Sequence, residues 1–146
     1  MKLIIAALDL SAVSDSVANH AAAIAQAFSA HLVLLHIAAP NPDFVGFEVG
    51  PKSVRDARAH ELRDEHRAFQ EQAAELCSQG IDAEACLVQG PTVDTILDRA
   101  DRRKADLLVL GSHGHGVVHR ALLGSISEGV LHRATIPVLI VPVRPA

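Results

Sequence analysis

The chain has 146 residues, of which 49% are apolar and 21% charged, and it carries a formal net charge of −4. That length supports one hydrophobic core and is short for two ordinary domains, so a single domain over residues 1–146 is expected, and the apolar fraction argues against wholesale disorder. Mild acidity offers no global attraction to phosphates, and with no Trp or Tyr there are few platforms for stacking bases, so nucleic acid is not an expected partner.

Leu3 to Leu8 is a continuous apolar run rich in Ile and Leu, the signature of a strand buried on both faces. It is too short for a signal segment or a bilayer span, which makes the cytoplasm the expected compartment and leaves no membrane contact to expect. From Ser14 to Ser29 an Ala-rich stretch places Val17, Ala21, Ile24 and Phe28 on one helical face. His31 to Ile37 reads as a second strand, and the Pro/Asn/Gly-rich segment from Pro40 to Pro51 as a long loop.

Lys52 to Gln79 carries Val54, Leu62, Phe69, Ala73 and Leu76 at mostly helical spacing, with Gly80 just past its end. Cys77 and Cys86 flank that turn without metal-type or disulfide-rich spacing, so both are expected to be reduced and to pack. Ala83 to Val88 is a third strand. Gly90-Pro91 ends it, and Thr92 to Lys104 predicts a helix with Val93, Ile96, Leu97 and Ala100 inward. Asp106 to Gly111 is a fourth strand, a glycine-punctuated loop follows to about Leu123, a helix starts at Gly124-Ser125, and Pro137 to Pro142 is the last strand.

Five strands alternating with four helices predict an α/β fold, a mostly parallel, doubly wound sheet with helices on both faces. Ligands in such sheets sit beyond the carboxyl ends of the strands, where strand order reverses. Asp9 and Gly111 occupy those ends of the first and fourth strands.

The segment from Gly111 to Ser127 contains Gly-x2-Gly-x9-Gly-Ser without a gap. Glycines let the backbone approach a ligand so that successive N–H groups point at phosphate oxygens, and the helix starting at Ser125 adds free N–H groups and a positive dipole end. Gly111, Gly114, Gly124, Ser125 and Ser127 are therefore candidates for one anion cradle. An alternative reading is a capping box, with Ser125 bonding forward and Glu128 reaching back.

This loop, with Leu122 to Glu128 and the ending Ile136 to Val141, resembles the universal stress protein family over essentially the whole chain. The resemblance implies a Rossmann-like sheet of the adenine nucleotide alpha hydrolase-like type, with strand order 3-2-1-4-5, and the glycine pattern implies its ATP-binding subgroup. Carried over, it implies an acidic residue beside ribose and adenine at Asp9, with Ser11 in the same loop. It further implies a backbone contact to adenine at Ile37, and contacts at Gly111, Gly114, His115, Gly124, Ser125, Ile126 and Ser127. Asp9 also reads as a loop-forming or capping residue, and Ile37 as plain core. Arg120 is either a phosphate contact or a solvated surface arginine. His113, His115, His119 and His132 lack a carboxylate or cysteine at ligand spacing, so no metal site is expected.

The ligand implied is ATP or AMP, which Mg2+ can accompany. No Gly-x4-Gly-Lys-Ser/Thr loop and no lysine lie in the glycine segment, so the chain is not expected to be an efficient enzyme, although weak ATP hydrolysis stays open. Three readings follow: a nucleotide-binding stress-response sensor, a nucleotide-free dimeric interaction module, and a weak hydrolase. The resemblance implies a homodimer in which Ile136 to Val143 pairs antiparallel with its copy; the protein partner it signals to is not encoded legibly.

Overall fold

The computed structural model describes residues 1–11, 13–38, 52–112 and 123–142. Along the chain these form β1 (Leu3–Leu8), α1 (Ser14–Phe28), β2 (His31–Ala38), α2 (Lys52–Ser78), β3 (Ala83–Gln89), α3 (Thr92–Arg103), β4 (Leu107–Gly111), α4 (Ser125–Arg133) and β5 (Val138–Val141). Every strand pair is parallel and the order is β3-β2-β1-β4-β5, as the family resemblance implies. The chain winds outward from β1 to β3, then crosses back to β4 on the other side of β1. The order thus reverses between β1 and β4.

Alternation along the strands divides the core into two layers. Ile4, Ala6, Leu8, Leu32, Leu34 and Val109 face one way, against Val17 and Ala21 of α1 and Phe69 and Leu76 of α2. Ile5, Val33, Leu35, Leu108 and Leu110 face the other, against Ile96 and Ala100 of α3 and Val130 of α4. Strands covered on both sides cannot carry polar residues at every second position, which is why β1 and β4 read as unbroken apolar runs.

Two expected core residues are exposed. Phe28 is 57% exposed because the last turn of α1 lies level with the edge of the sheet, where the His31 N–H donates to the Lys2 carbonyl at 2.9 Å. Val54 is 43% exposed for a reason of length. The 27 residues of α2 span about 40 Å, whereas its strand neighbours span about 25 Å, so its first half overhangs the sheet. Cys77 is also exposed rather than packed, and both thiols are free.

One clamp ties the two central strands together at their starts. The Asp106 carboxylate accepts the N–H groups of Lys2 (2.6 Å) and Leu3 (3.0 Å), and the Asp106 N–H donates to the Leu3 carbonyl at 2.8 Å. Those two backbone bonds, Lys2 first, hold the Asp106 carboxyl below the usual aspartate value. On the far edge, burial raises the Glu84 carboxyl, but Arg103 and His31 outweigh it and the net displacement is downward.

Candidate functional site

A cleft opens over the carboxyl ends of β1 and β4, at the point of strand reversal where doubly wound sheets take ligands. Its empty space, open solvent at the mouth included, is about 630 Å3. Ile37, Ile96, Leu110 and Ile126 supply apolar wall, while Asp9, Ser11, Thr92 and Ser127 supply polar groups. Asp9 is the one ionisable side chain on this wall among the described residues.

The turn after β1 is built around Asp9. Its Oδ1 accepts the Ser11 N–H at 3.0 Å and the Ser14 hydroxyl at 3.1 Å, and Ser14 Oγ in turn accepts the Asp9 N–H at 3.2 Å. This self-bonded aspartate turn shows that the loop-forming reading of Asp9 holds. The helix-capping reading does not: α1 begins after Val13 with no side-chain cap. Asp9 stands on the cleft wall at the same time. Ser11 lies beside it, with its Oγ buried and without a hydrogen-bond partner among the described residues.

The second wall comes from the ends of the glycine segment. The Ser112 N–H donates to Val141 (2.8 Å), the Gly124 N–H to Ser112 (2.8 Å), and Ser127 Oγ to Gly111 (2.6 Å). These bonds close the base of the loop and draw the start of α4 against the end of β4. They also revise the expected cradle. The Gly124 amide is engaged by Ser112, and the Ser127 hydroxyl hydrogen by Gly111. Within Gly124 to Ser127, the residues Ser125, Ile126 and Ser127 present first-turn N–H groups, which an α-helix leaves unpaired internally.

The capping box is not formed. Gly124 is itself the N-cap, without a side-chain cap bond, so Ser125 is already helical, and Glu128 stands 3.7 Å from His132.

Asp9, Ser11, Ile37, Gly111, Ile126 and Ser127 therefore converge on one cleft, while Gly124 and Ser125 sit at the base of the loop and off the described wall. Gly114, His115, His113, His119, Arg120 and the Pro40–Pro51 segment lie outside the described residues. Ile37 packs in the layer under α3 and α4, as its core reading expects, and also lines the cleft. Sequence reasoning missed Thr92, Ser14 and Ala7 on the wall. Thr92 had a signal, being the first helical residue after Gly90-Pro91 and so facing the carboxyl ends of the strands. No group of three metal-ligating side chains occurs among the described residues, and no described helix is long and apolar enough to cross a membrane.

The model of the universal stress protein family matches residues 1–142. A universal stress protein encoded in the QAH/OAS sulfhydrylase 3′ region of Thermus aquaticus is 36% identical over 96% of this chain and 98% of its own. Among solved structures, the universal stress protein UspA from Lactobacillus plantarum superposes with a TM-score of 0.81 at 21% identity, covering 96% of this chain and 97% of that one. A universal stress protein in complex with cAMP superposes with a TM-score of 0.67 at 27% identity, covering 97% and 96%.

Proposed function

The chain belongs to the universal stress protein family, and from that premise we propose that it is an adenine-nucleotide-binding regulator of the stress response, a single domain that takes ATP and acts as a homodimer. The observation that carries the reading is the Ser11 hydroxyl, buried at the cleft wall with no partner among the described residues. A buried hydroxyl without a partner is costly, and rotation of the Ser11 side chain toward the cleft would let a ligand oxygen or nitrogen relieve that cost.

Apolar wall from Ile37, Ile96 and Ile126 suits a flat base. The Asp9 carboxylate suits ribose hydroxyls as an acceptor. The first-turn amides of α4, with the glycine segment beyond Ser112, suit phosphate oxygens. The cAMP complex of a relative at 27% identity supports an adenine nucleotide as the ligand class. In this reading the bound nucleotide biases a partner surface rather than undergoing turnover, and Mg2+ accompanies its phosphates.

The dimer rests on β5. It is an edge strand paired to β4 alone among the described residues, which leaves one side able to pair with a second copy. Sedimentation equilibrium is expected to give about twice the 15.5 kDa chain mass.

Calorimetric titration of the purified protein with ATP and Mg2+ tests the ligand. Saturable heat and a raised melting temperature are expected. If neither heat nor melting changes while the protein sediments as a dimer, the nucleotide-free interaction module replaces this reading; phosphate release above background favours the hydrolase.

A further inference from the structure

The turn that carries Asp9 and Ser11 contains a strained residue. Leu10 has φ +64°, a left-handed conformation that a bulky side chain rarely adopts and that persists where its surroundings over-determine it. The constraint is visible at the peptide unit joining Leu8 to Asp9. Its N–H donates to Ser14 Oγ at 3.2 Å. Its carbonyl oxygen, on the opposite side of the plane, lies 3.0 Å from His36 Nδ1. A carbonyl can only accept, so Nδ1 carries the hydrogen and donates it.

His36 is held in turn from its other end. Its Nε2 lies 3.1 Å from Glu65 Oε2 of α2. Its ring stacks on Phe69 with centroids 4.9 Å apart, one helical turn further along α2. His36 is 6% exposed and faces the α1–α2 layer, opposite its neighbour Ile37, which lines the cleft. It is the one buried histidine among the described residues, and a core position of that kind on β2 needs no imidazole for packing alone.

We propose that His36 is a positioning residue for the nucleotide cleft. Glu65 and Phe69 fix the imidazole, the imidazole fixes the Leu8 carbonyl, and the Leu8–Asp9 peptide plane sets the Asp9 carboxylate and the Ser11 turn. The inference rests on the adenine-nucleotide reading for its effect on affinity, and on geometry alone for its effect on the turn. It also makes α2 the element through which events outside the cleft reach the ribose side of the site.

The test measures ATP affinity by calorimetry and, without nucleotide, amide hydrogen exchange at Asp9, Leu10 and Ser11. His36→Leu removes both bonds and is expected to weaken ATP binding about tenfold, the effect of losing a hydrogen-bonded position. His36→Asn, whose amide N–H can still reach the Leu8 carbonyl, is expected to restore most of that affinity. A purely structural role predicts that the losses from His36→Leu and Asp9→Asn multiply in the double variant; positioning through Asp9 predicts that the double variant binds about as Asp9→Asn does.

If His36→Leu does not fold, Glu65→Leu, at a residue off the cleft wall, carries the test. It is expected to weaken binding a few-fold and to speed exchange at the turn, with Glu65→Gln reversing both. Failure of the wild-type protein to bind ATP sinks the nucleotide reading and not this one, which exchange still decides. Unchanged exchange at Asp9 to Ser11 in His36→Leu or Glu65→Leu overturns it.

Discussion

Ser127 Oγ donates a 2.6 Å hydrogen bond to the carbonyl oxygen of Gly111, pinning the first turn of α4 to the last residue of β4. Ser127 is 4% exposed, so water cannot replace its hydroxyl at low cost. Ser127→Ala leaves the Gly111 carbonyl without this donor and is expected to lower stability by about 1–2 kcal/mol. Urea unfolding should show a lower midpoint with an unchanged slope. An unchanged midpoint means that this bond adds nothing to the packing and to the Gly124–Ser112 hydrogen bond that also join strand and helix.

Ser11 predicts the reverse pattern. Because its buried Oγ has no partner among the described residues, Ser11→Ala removes an unsatisfied group and is expected to leave stability unchanged or raise it by up to about 1 kcal/mol. ATP affinity is expected to fall about five- to tenfold, because the ligand then loses that contact. Melting and calorimetry on the same samples separate the two effects. A clear loss of stability would show that the hydroxyl serves the free protein.

The frame of the fold was legible because β1 and β4 are buried on both faces and must therefore be continuous apolar runs, and because Gly80 and Gly90-Pro91 mark boundaries that the backbone observes. Asp9 and Gly111 could be placed at strand ends from the same runs. The errors at Phe28 and Val54 share one origin. Helical periodicity reports which face a residue occupies, and it is silent on whether the sheet extends beneath that turn. Gly124 illustrates a different limit: the glycine pattern locates the loop base but not which amides face inward, and the Gly124 N–H is taken by Ser112. The His36–Glu65 contact joins residues 29 apart, and nothing local in either segment signals it.

Stability is expected to depend on acid pH through Asp106. Its folded-state pKa lies below the ordinary value because the Lys2 and then the Leu3 N–H groups bond the carboxylate. A depressed carboxyl pKa contributes stability that is fully present above the unfolded value, about pH 4, and is lost as pH falls through the folded value. Asp106→Ala should therefore be less stable than the wild type at neutral pH, with the two unfolding curves converging once the pH has fallen through the folded value. A gap that persists into acid would assign the effect to the uncharged part of the side chain.

Ala6 and Ala7 are adjacent in β1 and face opposite layers, so one enlargement applied to each has two outcomes. Ala6 is fully buried between β1 and the α1–α2 layer, and Ala6→Leu must displace packed neighbours, which is expected to lower stability by about 1–3 kcal/mol. Ala7 is half-buried and lines the cleft, so the added methyl groups of Ala7→Leu have empty space to enter. The fold is then expected to keep its melting temperature within a few degrees while ATP binding falls by at least about tenfold, because the base and the new side chain compete for the same volume. If Ala7→Leu melts like Ala6→Leu, the cleft is already closed in solution. If it binds ATP like the wild type, the nucleotide sits elsewhere on the sheet.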